Sequence, residues 1–184
     1  MSLDFNSSVD FVDQNIRYMD NLYVVDKARL DGWTDWVQSH LSAKLDRYTL
    51  PTGKVVMLGT WNGDVYSVFK NKYGAENCKG FDIVEYYADS TTTIGDFRDI
   101  HQDHPMDVAL IYNAMGTWEH NGLSKEAGLT YSVNNLVDGG YYIEQATLGA
   151  VSRISDTEAR GLTHIGYITD EAENNRLIIF QNNV

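Results

Sequence analysis

Three stretches of this chain place residues of chemical use at the ends of short apolar runs. The first is Leu58-Gly59-Thr60-Trp61-Asn62-Gly63-Asp64, between an apolar run and a helical pattern. Glycine there lets the backbone turn sharply and approach a ligand, and the helix that follows presents unpaired N–H groups. The spacing is Gly-x-x-x-Gly. It is not the Gly-x-Gly-x-x-Gly of a dinucleotide fold, and no Gly-Lys-Ser/Thr follows as in a P-loop. The second is Asp82, which closes the next apolar run about 20 residues beyond Gly59, where a carboxylate can accept both hydroxyls of a ribose. The third is Ile94-Gly95-Asp96-Phe97. Asp96 can accept the exocyclic amine of an adenine while the Phe97 ring packs beside the base. Each stretch also has a plain structural counterpart: a tight strand-to-helix turn, a strand-end cap, and a cap for a helix over residues 98–103.

Such residues act together only if a sheet brings the ends of those runs side by side. Residues 54–60, 78–84, 91–97, 107–113 and 141–147 read as strands, and helical stretches lie between several of them. Val65, Val68, Phe69 and Tyr73 stand at helical spacing with Gly74 as a stop. Residues 124–137 read as a helix starting at Ser124 and followed by an Asp138-Gly139-Gly140 turn, and 151–160 as a short one. Residues 164–170 and 176–183 form a hairpin through Glu171–Asn175. This alternation predicts an α/β fold, a Rossmann-like three-layer sandwich. Its sheet is seven-stranded and mostly parallel, with a C-terminal antiparallel hairpin and N-terminal helices. Ligands of such sheets sit at the carboxyl ends of the strands, near the reversal of strand order.

Residues 1–50 read as a helical segment, set off by Pro51-Thr52-Gly53 from a domain over 51–184. Trp33, Val37, Leu41 and Leu45 recur every four residues with Trp36 beside them, and Asp31 can cap that helix. Phe11 to Val25 suggests a shorter helix. The aromatic stripe can close over a pocket as a lid, pack on the sheet, or join two copies in a homodimer. An amphipathic stripe favours packing.

The order and spacing of these features resemble the class I S-adenosylmethionine-dependent methyltransferases. In that family a Gly-rich loop follows strand one, an acid ends strand two, another follows strand three, and a Gly-Gly turn leads into strand five. Here those are Gly59–Gly63, Asp82 within Gly80-Phe81-Asp82-Ile83, Asp96 within Gly95-Asp96-Phe97, and Leu136-Val137-Asp138-Gly139-Gly140. The resemblance covers roughly residues 53–184. It implies S-adenosylmethionine as cofactor, held by Gly59, Thr60, Trp61, Gly63, Asp82, Ile83, Asp96, Phe97 and Asn113. It also implies that the segment from Tyr112 to His120 lines the transfer site, with Glu119 or His120 as general base and Tyr112 and Asn113 positioning the acceptor.

The sequence departs from the family in three places. Met57 stands where the family usually has an acid inside strand one, Trp61 replaces the second glycine of the loop, and Asn113 stands where metal-dependent members carry Asp. No catalytic metal is therefore expected. His101-x-x-His104 lacks a third ligand nearby and reads as surface. No Asn-Pro-Pro-Tyr or Asp-Pro-Pro-Tyr occurs, so methylation of base amines has no motif behind it. Met57 and Trp61 keep open the reading of an accessory protein that retains the fold without transfer; a different use of the same nucleoside pocket, an enzyme that cleaves the cofactor, is the other alternative.

Composition bounds the partners. The chain has 184 residues, 43% hydrophobic and 22% charged, which fits one folded domain and excludes a mostly disordered chain. The net charge is −12, carried almost wholly by residues 81–184. That argues against nucleic acid, whose binders cluster Lys and Arg, and leaves a small-molecule acceptor. Cys78 is the only cysteine, so neither an internal disulfide nor a cysteine zinc cluster can form. No apolar run reaches the ~18 residues of a membrane helix, and the first residues lack a basic-then-apolar signal; a cytoplasmic protein is expected.

Overall fold

A computed structural model describes residues 35–48, 50, 53–60, 63–82, 88–95, 107–113, 125–147, 153–170 and 175–182. Seven strands form one sheet: β1 (Val55–Leu58), β2 (Cys78–Asp82), β3 (Thr92–Ile94), β4 (Val108–Asn113), β5 (Leu136–Thr147), β6 (Leu162–Asp170) and β7 (Asn175–Asn182). Their order is β3-β2-β1-β4-β5-β7-β6. β1 to β5 run parallel, and β7 lies antiparallel between β5 and β6. The chain steps outward from β1 to β3 and then returns to the other side of β1 for β4, so strand order reverses between β1 and β4.

Helices cover both faces, and this explains the unbroken apolar run of β1, all four of whose residues are buried. On one face lie α1, a π-helical stretch Val37–Leu41 continuing into Ser42–Leu45, and α2 (Asp64–Tyr73). Val37, Leu41 and Leu45 are buried there with Tyr66, Phe69, Met57, Tyr112, Ile143 and Ile179. On the other face α3 (Lys125–Asn135) and α4 (Arg153–Glu158) meet the sheet, with Leu129, Tyr131, Leu58, Ile111, Tyr142 and Phe180 in the core and Ile154 packed against it. Each fully buried apolar side chain of this size contributes roughly 1.5–3 kcal/mol. Trp33, Asp31 and residues 11–25 lie outside the described residues; Trp36 packs partly against the first cluster.

Local chemistry sets the ends of α2. Gly63 precedes it in the left-handed region at φ 80°, Asp64 sits in its positive first turn, and Lys70 and Lys72 lie in its last. Gly74 ends it, donating its N–H to the Lys70 carbonyl at 2.9 Å. Lys72 pairs with Asp46 of the α1 segment, and Lys70 with Asp89 at 2.5 Å. The residues α2 buries fully are Tyr66 and Phe69; Val65, Val68 and Tyr73 of the expected stripe are only partly covered.

The Asp138-Gly139-Gly140 run is not a turn before β5 but lies inside it. Helix α3 ends at Asn135, two residues sooner than the pattern predicts, and β5 begins at Leu136. The ladder with β4 then jumps from Val108↔Leu136 to Leu110↔Tyr141. The surplus residues form an irregularity in which Gly139 takes φ 73° and a Cβ on Gly140 would stand 2.8 Å from the Val137 carbonyl oxygen.

The outer edge of the sheet is β6. Ile165 is an extra residue there, since His164 pairs with Phe180 and Gly166 with Ile179. Tyr48, beyond α1, donates its hydroxyl to the Tyr167 carbonyl at 2.7 Å. A Cβ on Gly166 would lie 2.7 Å from that hydroxyl oxygen.

Candidate functional site at the carboxyl ends of the strands

The ends of β1, β2 and β3 are tied in a row by main-chain bonds. Gly59, leaving β1 at φ 91°, donates its N–H to the Phe81 carbonyl at 2.8 Å. Gly95, just past β3, donates to the Asp82 carbonyl at 2.7 Å. The turn after β1, the terminal carboxylate of β2 and the residue before Asp96 are thus neighbours along one rim. The turn is closed by Gly63, whose N–H meets the Thr60 carbonyl at 2.9 Å, while the Gly63 carbonyl accepts the Ser67 N–H at 2.8 Å. Positive φ at Gly59 and Gly63 is the reason glycine is needed at both. Asp82 is half-buried at this rim. Trp61, Ile83, Asp96, Phe97, Glu119 and His120 lie outside the described residues.

Two buried oxygens near the strand-order reversal have no hydrogen-bond partner among the described residues: Thr60 Oγ1, beyond β1, and Asn113 Oδ1, at the end of β4. Asn113 stands beside Leu58 of β1 in register, and its amide nitrogen donates to the Tyr142 hydroxyl at 3.0 Å. A buried acceptor left unpaired costs about 1–3 kcal/mol, so such atoms mark where a ligand or water donates. A group bearing ammonium and hydroxyl donors, with a ribose for Asp82, fits this set of acceptors.

Tyr112 is placed differently from Asn113. It faces α1 and α2, its ring centroid is 5.5 Å from that of Phe69, and its hydroxyl donates to Gln145 Oε1 at 2.5 Å. Complete burial pushes its phenol far above the ordinary tyrosine range, so it keeps its proton. Met57 is buried in the same cluster, so the position where an acid was expected by resemblance is filled by an apolar chain among rings.

Sequence reasoning passed over Glu144 and named Gly80 only as part of the run around Asp82. Glu144 of β5 is wholly buried, opposite Asn113 in the ladder, with Thr157 of α4 donating its hydroxyl to Glu144 Oε2 at 3.3 Å. The available signal was a lone carboxylate inside Tyr141-Tyr142-Ile143-Glu144. Gly80, in the interior of β2, lies against Thr60 and Tyr66. Its signal was a glycine inside a strand, which marks close approach.

Cys78 and Tyr66, near the rim, keep their protons at neutrality. Burial pushes the Cys78 thiol up to about 11 and the Tyr66 phenol up to about 12. Among the described residues no three His, Cys, Asp or Glu gather as metal ligands, and no helix is long and apolar enough to cross a membrane.

No protein-family model matches the chain, and no curated protein does. Solved structures do. The TehB-like S-adenosylmethionine-dependent methyltransferase of Corynebacterium glutamicum is 15% identical with a TM-score of 0.55, over 94% of this chain and 98% of that one. The N-methyltransferase NodS of Bradyrhizobium japonicum is 13% identical with a TM-score of 0.52, over 86% and 99%. The fibrillarin pre-rRNA processing protein of Methanococcus jannaschii is 13% identical with a TM-score of 0.55, over 81% and 77%. At these identities the likeness is one of fold.

Proposed function

We propose that this chain, which has the fold of the class I S-adenosylmethionine-dependent methyltransferases, binds S-adenosylmethionine along the rim of β1, β2 and β3 and methylates a small molecule. The observation that carries the reading is the pair of main-chain bonds, Gly59 to Phe81 and Gly95 to Asp82, which sets the glycine turn, Asp82 and the approach to Asp96 in one line. Fold alone does not fix function, so the weight rests on that line and on the two unpartnered buried oxygens.

In this reading Gly59, Thr60, Trp61 and Gly63 border the methionine and ribose portions. Asp82 accepts the ribose hydroxyls with Ile83 alongside, and Asp96 and Phe97 take the adenine. Asn113 faces the reacting end. When bound, the cofactor supplies a sulfonium methyl open to in-line displacement. The protein's share is to align the acceptor and keep water out. Glu119 or His120 takes the acceptor's proton, and Tyr112 holds Gln145 in place beside the rim. The strongly acidic second half disfavours a nucleic-acid acceptor, which supports a small molecule.

One observation favours a second reading. Met57 leaves strand one without its usual acid, so the methionine end has one fewer carboxylate to hold it, as in an accessory protein that kept the architecture. Calorimetry and thermal shift with S-adenosylmethionine and S-adenosylhomocysteine separate the two. Stabilisation of the wild-type protein by either ligand is expected; none at millimolar ligand overturns the enzyme reading. Product analysis after long incubation then distinguishes methyl transfer from cofactor cleavage.

A further inference from the structure

We infer that Gly80, in the interior of β2, is a positioning residue for the turn after β1: the side chain it lacks is the notch that seats the Thr60 methyl. The consequence for binding rests on the cofactor reading above. A Cβ on Gly80 would stand 2.4 Å from Thr60 Cγ2, and 3.1 Å and 3.2 Å from Tyr66 Cζ and Cε1. Real carbon atoms do not approach to the first of these distances. Glycine is not needed here for its backbone, because Gly80 is absent from the positive-φ positions and sits in regular ladder opposite Met57 and Thr92. A glycine inside a strand costs roughly 0.5–1 kcal/mol against alanine, so its reason is the space it leaves.

That space is walled on its far side. The Tyr66 ring is fully buried and its hydroxyl is bonded to Thr91 Oγ1 at 2.6 Å, so the ring has no room to retreat. A side chain at position 80 therefore displaces Thr60. The turn is otherwise fastened by the Gly59 N–H on Phe81 and the Gly63 N–H on the Thr60 carbonyl. The methyl in its notch is the third fastening. Threonine is stiff about its first side-chain bond, so seating the methyl also fixes where the hydroxyl points. That hydroxyl oxygen is the buried one without a partner among the described residues. Gly80 thus sets the direction of a polar group at the rim without lying on the rim itself.

The test compares Gly80→Ala, Thr60→Ser and the double variant. In Gly80→Ala the Kd for S-adenosylhomocysteine rises about tenfold or more, while Thr60→Ser alone, which gives up the seated methyl but keeps the hydroxyl, raises it by about threefold. Adding Thr60→Ser to Gly80→Ala restores most of the loss, because the colliding methyl is gone and the hydroxyl remains. Without ligand, the Thr60 and Gly63 amide resonances shift in Gly80→Ala and return in the double variant. If Gly80→Ala alone does not fold, recovery of a folded protein in the double variant reads the same coupling. Unchanged resonances and Kd in Gly80→Ala, or losses that Thr60→Ser leaves untouched, overturn the inference. A wild-type protein that ignores S-adenosylhomocysteine while the resonances behave as described sinks the cofactor reading and leaves the steric coupling standing.

Discussion

Asn113 and Glu144 face each other on the last rung of the β4–β5 ladder, both wholly buried. A carboxylate taken fully out of water must be hydrogen-bonded or it costs several kcal/mol. The Thr157 hydroxyl contributes one such bond and fixes α4 to the sheet at that point. Thr157→Val is expected to destabilise the fold by about 1–3 kcal/mol, since it strips a donor from a buried carboxylate while keeping the volume. Glu144→Gln, which keeps the shape, should cost less. Urea denaturation of both variants checks this; a Thr157→Val protein as stable as the wild type would show that the contact contributes nothing.

Asp82 is the carboxylate that the cofactor reading needs most. Removing a charged acceptor from a pair of hydroxyls loses about 1.5–3 kcal/mol, so Asp82→Ala should weaken S-adenosylhomocysteine binding by tenfold or more. Asp82→Asn should fall between. The measurement is the ligand-induced rise in Tm, set beside the Tm of the unliganded variant. Equal ligand-induced shifts in wild type and Asp82→Ala would remove Asp82 from the site.

Stability is expected to fall on the alkaline side. Burial pushes the Cys78 thiol to about 11, from an ordinary value of 9.0, and Tyr66, Tyr73 and Tyr131 to about 12, from 10.0. Between those values the unfolded chain has released protons that the folded chain retains, so rising pH favours unfolding. The stabilisation is whole below about pH 9, and is lost first through Cys78 and then through the tyrosines. Urea midpoints from pH 7 to 11 should be flat and then decline, and Cys78→Ala should delay the onset. A midpoint that rises over pH 9–11 would contradict the assignment.

The contact between Tyr48 and β6 ties the α1 segment to the far edge of the sheet. Tyr48→Phe removes one hydrogen bond to a carbonyl and should cost about 0.5–1.5 kcal/mol. Gly166→Ala pushes a methyl against the phenol and should cost about 1–3 kcal/mol. In the double variant the two losses should fall short of their sum, since both act on one contact. Additive losses would mean that Gly166 is glycine for another reason.

Much of the architecture is legible in the chain because β1 and β4 are covered on both faces and so read as short, almost wholly apolar runs. Asp138-Gly139-Gly140 misled for a physical reason: two glycines can terminate a strand or loosen one in mid-course, and local pattern does not separate the cases. Tyr66 was passed over because its neighbours Val65 and Val68 look more apolar, yet a ring with a bonded hydroxyl is what fills the space beside Gly80. Glu144 was invisible because one carboxylate in a strand ordinarily marks a solvent face. At the site, Gly59, Gly63 and Asp82 were picked out by residue type and position, and the main-chain bonds put them on one rim. Thr60 and Asn113 were named by resemblance, but that their side-chain oxygens are buried and without a partner among the described residues is visible only in three dimensions.

The β6 rim bears on how copies of this molecule treat one another. A sheet whose last strand offers an uninterrupted row of amides and carbonyls is a template on which another polypeptide can grow. Here the surplus residue Ile165 breaks the row and a phenol from a distant segment occupies one of its carbonyls. With Ile165 and Tyr167 both partly exposed beside it, that small plug makes this edge a poorer template for a second strand than its apolar surface alone would suggest.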